Sequence, residues 1–107
     1  MKLGRQGNLV IHRMVEDGKP AGHIVWFWCD GCGDPHAFEV PRWTFDGDYD
    51  RPTFEPSLLL RSTQGEDMTP HVCHLFLRDG QLQYLGDCTH KLAGKTVSLP
   101  EPPDWIE

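Results

Sequence analysis

Apolar and polar residues alternate with a period of two along much of this chain, the spacing of strands that rest one face on a core. Asn8 to Val15 and Gly22 to Trp28 follow it, and Glu16-Asp17-Gly18-Lys19-Pro20 between them has turn chemistry. In His36-Ala37-Phe38-Glu39-Val40 the alternation puts His36, Phe38 and Val40 on one side, and Pro41 ends the run. Residues 42–56 lose the pattern. There Trp43, Phe45, Tyr49 and Phe54 are scattered among acids and prolines, which predicts an irregular segment. Ser57 to Arg61 predicts a short buried strand and residues 62–70 a polar loop.

Val72 to Leu77 and Gln81 to Leu85 flank Asp79-Gly80, a dipeptide suited to a two-residue type I′ turn. That turn sets Arg78 opposite Gln81, and the register follows by counting back. One face then carries Leu77/Leu82, Leu75/Tyr84, Cys73/Gly86 and His71/Cys88. The other carries Arg78/Gln81, Phe76/Gln83, His74/Leu85 and Val72/Asp87. Asp87 can cap a short helical turn over residues 88–93, stopped by Gly94. Lys95 to Leu99 predicts a last strand, with Trp105-Ile106 docking back on the core.

Composition narrows the fold. Eleven glycines and nine prolines in 107 residues force short elements, and a small turn-rich domain gains from a covalent or metallic staple. The expectation is a single domain over residues 1–107, mainly β (a small, β-rich α+β fold). It has a central hairpin and at most one or two short helical turns, with residues 1–23 as an N-terminal strand region and residues 100–107 as a Pro-rich tail. The net charge of −6 argues against direct nucleic-acid binding. The acids concentrate in residues 25–56, and Asp46, Asp48 and Asp50 are the candidate partner-binding surface. No apolar run suggests a membrane span and the start shows no signal-peptide core, so a cytoplasmic location is expected.

In such a compartment four cysteines point to metal rather than disulfides. Cys29-Asp30-Gly31-Cys32-Gly33 follows a strand and has the form of a zinc knuckle: two intervening residues let both thiolates face one ion, and the glycine permits the tight turn. Cys73 and Cys88 arrive later, on the same predicted hairpin face. Cys29, Cys32, Cys73 and Cys88 are therefore the expected ligands of one structural Zn2+. His74, His36 and His90 are alternates for the fourth place, although His74 points away in a regular strand. Gly31, Gly33 and Pro35 forbid the long helix of a thioredoxin-type pair. Asp46-Gly47-Asp48-Tyr49-Asp50 begins like a calcium loop, but Arg51 and Ser57 stand where Gly and Glu are needed. His12 and His23 suggest ordinary strand histidines. Neither a nucleophile elbow nor a Ser-His-Asp order is evident, so no catalytic residue is assigned.

Phe27-Trp28-Cys29-Asp30-Gly31-Cys32-Gly33-Asp34-Pro35-His36, Arg51-Pro52-Thr53-Phe54-Glu55-Pro56-Ser57-Leu58, Val72-Cys73-His74 and Asp87-Cys88-Thr89-His90 together resemble a family of short phage and prophage proteins of unknown function. Its members sometimes carry the label ammonia monooxygenase, which nothing in these residues supports. The resemblance spans about residues 24–99. It implies a phage origin and adds weight to the Cys and His positions. Leu75-Phe76 departs from the Ser-Phe of that pattern.

Two functions compete. The first is a phage-derived, zinc-stapled interaction protein whose acidic surface engages a host protein in the bacterial cytoplasm. The second is a small zinc-dependent hydrolase with an open metal position, with His74, His90, Asp87 and His36 as acid–base groups. Four protein ligands would favour the first, three plus water the second.

Overall fold

The computed structural model describes residues 3–104. Four strands, β1 (Leu3–Gln6), β2 (Leu9–Glu16), β3 (Lys19–Cys29) and β4 (Asp34–Val40), form an antiparallel sheet in chain order. Next, β5 (Thr44–Phe45) and β6 (Phe54–Glu55) pair as a two-stranded ribbon within the segment expected to be irregular. The second large sheet contains β7 (Leu58–Gln64), β8 (Thr69–Arg78), β9 (Gln81–Tyr84) and β10 (Thr96–Ser98), in the order β10-β9-β8-β7. All pairings are antiparallel, and no α-helix occurs among the described residues. The fold is nearly all β, as expected. Among the described residues, no helix is long and apolar enough to cross a membrane.

Alternation decides which faces meet. On β3 the buried residues are Val25, Phe27 and Cys29, and on β8 they are Cys73, Leu75 and Leu77. These faces enclose one core with Phe38, Phe54, Leu82 and Tyr84. Phe54 lies between two rings, stacked at 4.3 Å on Phe38 and 4.6 Å on Phe45. Burying an apolar side chain of this size stabilises by roughly 2 kcal/mol, so the two-residue ribbon is anchored by its aromatics more than by its ladder.

The Asp79-Gly80 turn forms as expected, with φ of 50° and 72°. Its register is Arg78↔Gln81, Leu77↔Leu82, Phe76↔Gln83 and Leu75↔Tyr84. A Cβ at Gly80 would come within 3.1 Å of the Arg51 Cα, so a second constraint fixes glycine there. The ladder stops at Tyr84, where the sequence suggests it continues. Leu85 still donates its N–H to the His74 carbonyl, but the Cys88 N–H then turns back to the Leu85 carbonyl. Successive turns replace the expected helical turn over 88–93, closed by Ala93 N–H to His90 O and Lys95 N–H to Leu92 O. The expected docking of Trp105-Ile106 lies outside the described residues.

Candidate active site and metal cluster

Two groups of side chains occupy opposite faces of β8. On the core face, Cys29, Cys32, Cys73 and His90 bring their ligand atoms within 4.8 Å of one another. The knuckle turn supplies the first two, with Gly33 at φ 67° donating its N–H to the Cys29 carbonyl. Cys73 comes from the middle of β8 and His90 from the turns after β9. The Sγ atoms of Cys29 and Cys73 are 3.8 Å apart, and His90 Nε2 is 3.5 Å from Cys73 Sγ. Tetrahedral zinc with ordinary bond lengths has edges of about 3.8 Å between sulfurs and about 3.6 Å from sulfur to nitrogen. The donor set and its spacing fit a metal ion.

Electrostatics agrees. The Cys73 thiol, hydrogen-bonding to Cys29, draws the Cys29 thiol down to about 3, and the same contact pushes Cys73 up. Burial, then the charge on Cys29, pushes Cys32 up to about 12. One sulfur ionises at the expense of the others. A bound cation removes that conflict, since every sulfur can then be a thiolate. Burial lowers the pKa of His90, favouring the neutral imidazole that a metal requires. Tyr84, its own pKa raised by burial, has its hydroxyl 3.0 Å from Cys29 Sγ and packs edge-on to the His90 ring at 4.8 Å.

His90 stands where the register placed Cys88. Because the chain turns back after Leu85, the Cys88 sulfur lies 3.2 Å from both the N and the O of His74 and supports that strand's main chain instead. His71 Nε2 is 3.1 Å from Cys32 Sγ, beside the cluster. His36 packs edge-on to Phe27 at 5.8 Å with its Nε2 buried and unpartnered. His23 is exposed, and His12 also has a buried, unpartnered Nε2. In the acidic loop, Asp46 Oδ1 accepts the N–H groups of Asp48 and Thr53, and Asp48 Oδ1 those of Asp50 and Arg51. The latter pair holds the Asp48 carboxyl below its usual range.

On the outer face, His74 joins two partners that sequence reasoning had not connected. Its Nε2 is 3.1 Å from Ser57 Oγ, and its Nδ1 is 3.0 and 3.2 Å from the two carboxylate oxygens of Asp87. An ionised carboxylate only accepts, so Nδ1 carries the proton, and a neutral ring then offers Nε2 as acceptor to the Ser57 hydroxyl. This is the connectivity of a Ser-His-Asp triad, in the chain order Ser57, His74, Asp87. Ser57 and His74 are part-buried, and the Asp87 side chain is about half exposed. The absence of such an order inferred from the sequence is thereby corrected. Ser57 lies at the mouth of β7 outside any nucleophile-elbow motif, and Asp87 meets His74 from the turn that follows β9. The expected hairpin offered one usable signal: it set His74, Val72 and Asp87 on the same outward face.

Such an arrangement on a nearly all-β scaffold defines a candidate serine hydrolase with an accessory Cys/His cluster suited to a metal ion. The chain belongs to the BubE family, described as bacterial ubiquitination-like system serine protease, whose family model matches residues 3–85. The matched span contains Ser57, His74 and the three clustered cysteines and ends just before Asp87 and His90. No curated protein and no solved structure is similar enough to match it. The family assignment overturns both the phage-protein resemblance and the phage interaction-protein reading built on it. The hydrolase alternative stands closer to this family.

Proposed function

We propose that this chain is a serine protease acting on a ubiquitin-like modifier, either its conjugates or its precursor. The family's description supports the substrate class. The observation that carries the chemistry is the continuous chain of contacts from Ser57 Oγ through His74 to Asp87. Ser57 Oγ attacks the scissile carbonyl carbon while His74 Nε2 takes its proton. Asp87 holds the ring by Nδ1–H and stabilises the imidazolium. As the tetrahedral intermediate collapses, His74 returns the proton to the leaving group and an acyl ester remains on Ser57. Water, deprotonated by the same nitrogen, then releases the acyl part as a carboxylate.

Cys29, Cys32, Cys73 and His90 would hold one zinc ion, which supplies a cross-link and no open position, since four protein ligands close a tetrahedral site. Four free cysteines suit a reducing compartment such as the cytoplasm. A fluorophosphonate probe tests the assignment: it should modify Ser57, located by peptide mass mapping, and should leave Ser57→Ala and His74→Ala variants unmodified. Modification elsewhere, or none, would overturn the assignment.

A further inference from the structure

β7 is the outer strand of its sheet and begins directly after Ser57. Among the described residues its only strand neighbour is β8, in the register Leu58↔Leu75, Leu59↔His74, Leu60↔Cys73 and Arg61↔Val72. Which groups face the open side follows from β8. The His74 N–H meets the Cys88 sulfur and the His74 carbonyl accepts from Leu85, while the Val72 N–H and carbonyl are engaged by Thr89. Both residues therefore turn their main-chain groups away from β7. The ladder bonds between the two strands must then belong to Leu58, Leu60 and Ser62. By alternation, Leu59, Arg61 and Thr63 direct their N–H and C=O groups outward, along the free edge. The edge closes at Ser57, whose carbonyl accepts the Trp43 indole N–H at 3.3 Å.

We propose that this edge is where the acyl side of the substrate docks, as an added antiparallel strand running toward Ser57. This rests on the assignment of Ser57 as nucleophile. The orientation follows from the strand's direction: β7 leads away from Ser57, so a strand antiparallel to it delivers its carboxyl end to the hydroxyl. The released group departs past Trp43, where the edge has ended. An enzyme that reads only the acyl side can accept many leaving groups, which suits conjugates of one modifier with different targets. Main-chain pairing supplies affinity, and side chains on alternate residues supply selectivity. Leu59 is 41% exposed beside His74, and Arg61 is exposed two residues further along. Cross-strand complementarity then selects an apolar substrate residue against Leu59 and an acidic one two positions upstream, against Arg61.

The test uses the intact chain and peptidyl diphenyl phosphonates, in which Ser57 Oγ displaces phenoxide from phosphorus. Probes with no residues, two and four residues on the acyl side are compared, the longest also with single main-chain N-methyl groups walked along it. Labelling should quicken with length. N-methylation should slow it about tenfold at alternate positions only, each blocked position losing one hydrogen bond. Exchanging the acidic residue for lysine should slow it as well. Equal rates for all lengths, or no two-residue period, would overturn the docking while leaving Ser57 as nucleophile. A dimer formed through β7 that the longest probe labels without displacing would also overturn it, because the edge would then serve a second copy and the substrate would dock elsewhere. No labelling of Ser57 by any probe would remove the underlying assignment, and this inference with it.

Discussion

Cys73 and His74 are consecutive residues of β8 whose side chains enter different sites, the sulfur the Cys/His cluster and the imidazole the gap between Ser57 and Asp87. The pleat separates them by one residue. The turns after β9 repeat the arrangement, sending Asp87 to the outer face and His90 to the core. Two backbone segments thus carry one cluster residue and one member of the Ser57-His74-Asp87 chain each, so a metal ion holding the cluster would also fix the separation of His74 and Asp87.

Ser57→Ala should abolish cleavage of a ubiquitin-like conjugate, by roughly four orders of magnitude or more, with an unchanged melting temperature. Asp87→Asn should cost about as much while keeping the fold, since it leaves the imidazole in the wrong tautomer. Steady-state kinetics beside thermal melts separates this from unfolding. Activity within tenfold of wild type in either variant would remove the triad.

Cys73→Ser and His90→Ala should each lose bound metal, and Cys88→Ala and His74→Ala should each retain it. Elemental analysis of the four purified variants decides the ligand set. Retention in His90→Ala with loss in Cys88→Ala would restore the four-cysteine site.

Chelation should lower the melting temperature strongly, because binding energy at a structural metal is folding energy. It should also slow labelling of Ser57 before the chain unfolds globally, and added zinc should restore both. Identical melting with and without chelator would exclude a structural metal.

Glu55, two residues before Ser57, accepts from Arg78 at 2.8 and 3.2 Å, and this hydrogen bonding holds its carboxyl below the usual range. A depressed folded-state pKa stabilises above the unfolded value, and the gain disappears as pH falls through the lowered one. The difference in melting temperature between wild type and Glu55→Gln should therefore be present at neutral pH and vanish in acid. The pair is exposed, so the difference should be small and should shrink with added salt.

Sequence reasoning reached the elements whose causes are local. Asp79-Gly80 dictated its own turn and register, and alternation sorted the faces of β3 and β8. The knuckle cysteines and Cys73 were legible for the same reason. What failed was long-range. The stop after Tyr84 depends on Cys88 and Thr89 capturing the main chain of β8, which no local pattern announces. That one early stop exchanged Cys88 for His90 in the cluster. Ser57 was hidden differently, by a partner that becomes its neighbour only through strand pairing.

Gly31 sits between the two knuckle cysteines with no side chain to offer, and a Cβ there would collide with the His90 ring. The position holds no chemistry, yet it is as demanding as a ligand. Gly31→Ala leaves all four donor residues in the chain and still denies the imidazole its place. Variation at residue 31 would thus act as a concealed loss of metal, visible to a metal assay and invisible to any inventory of cysteines and histidines.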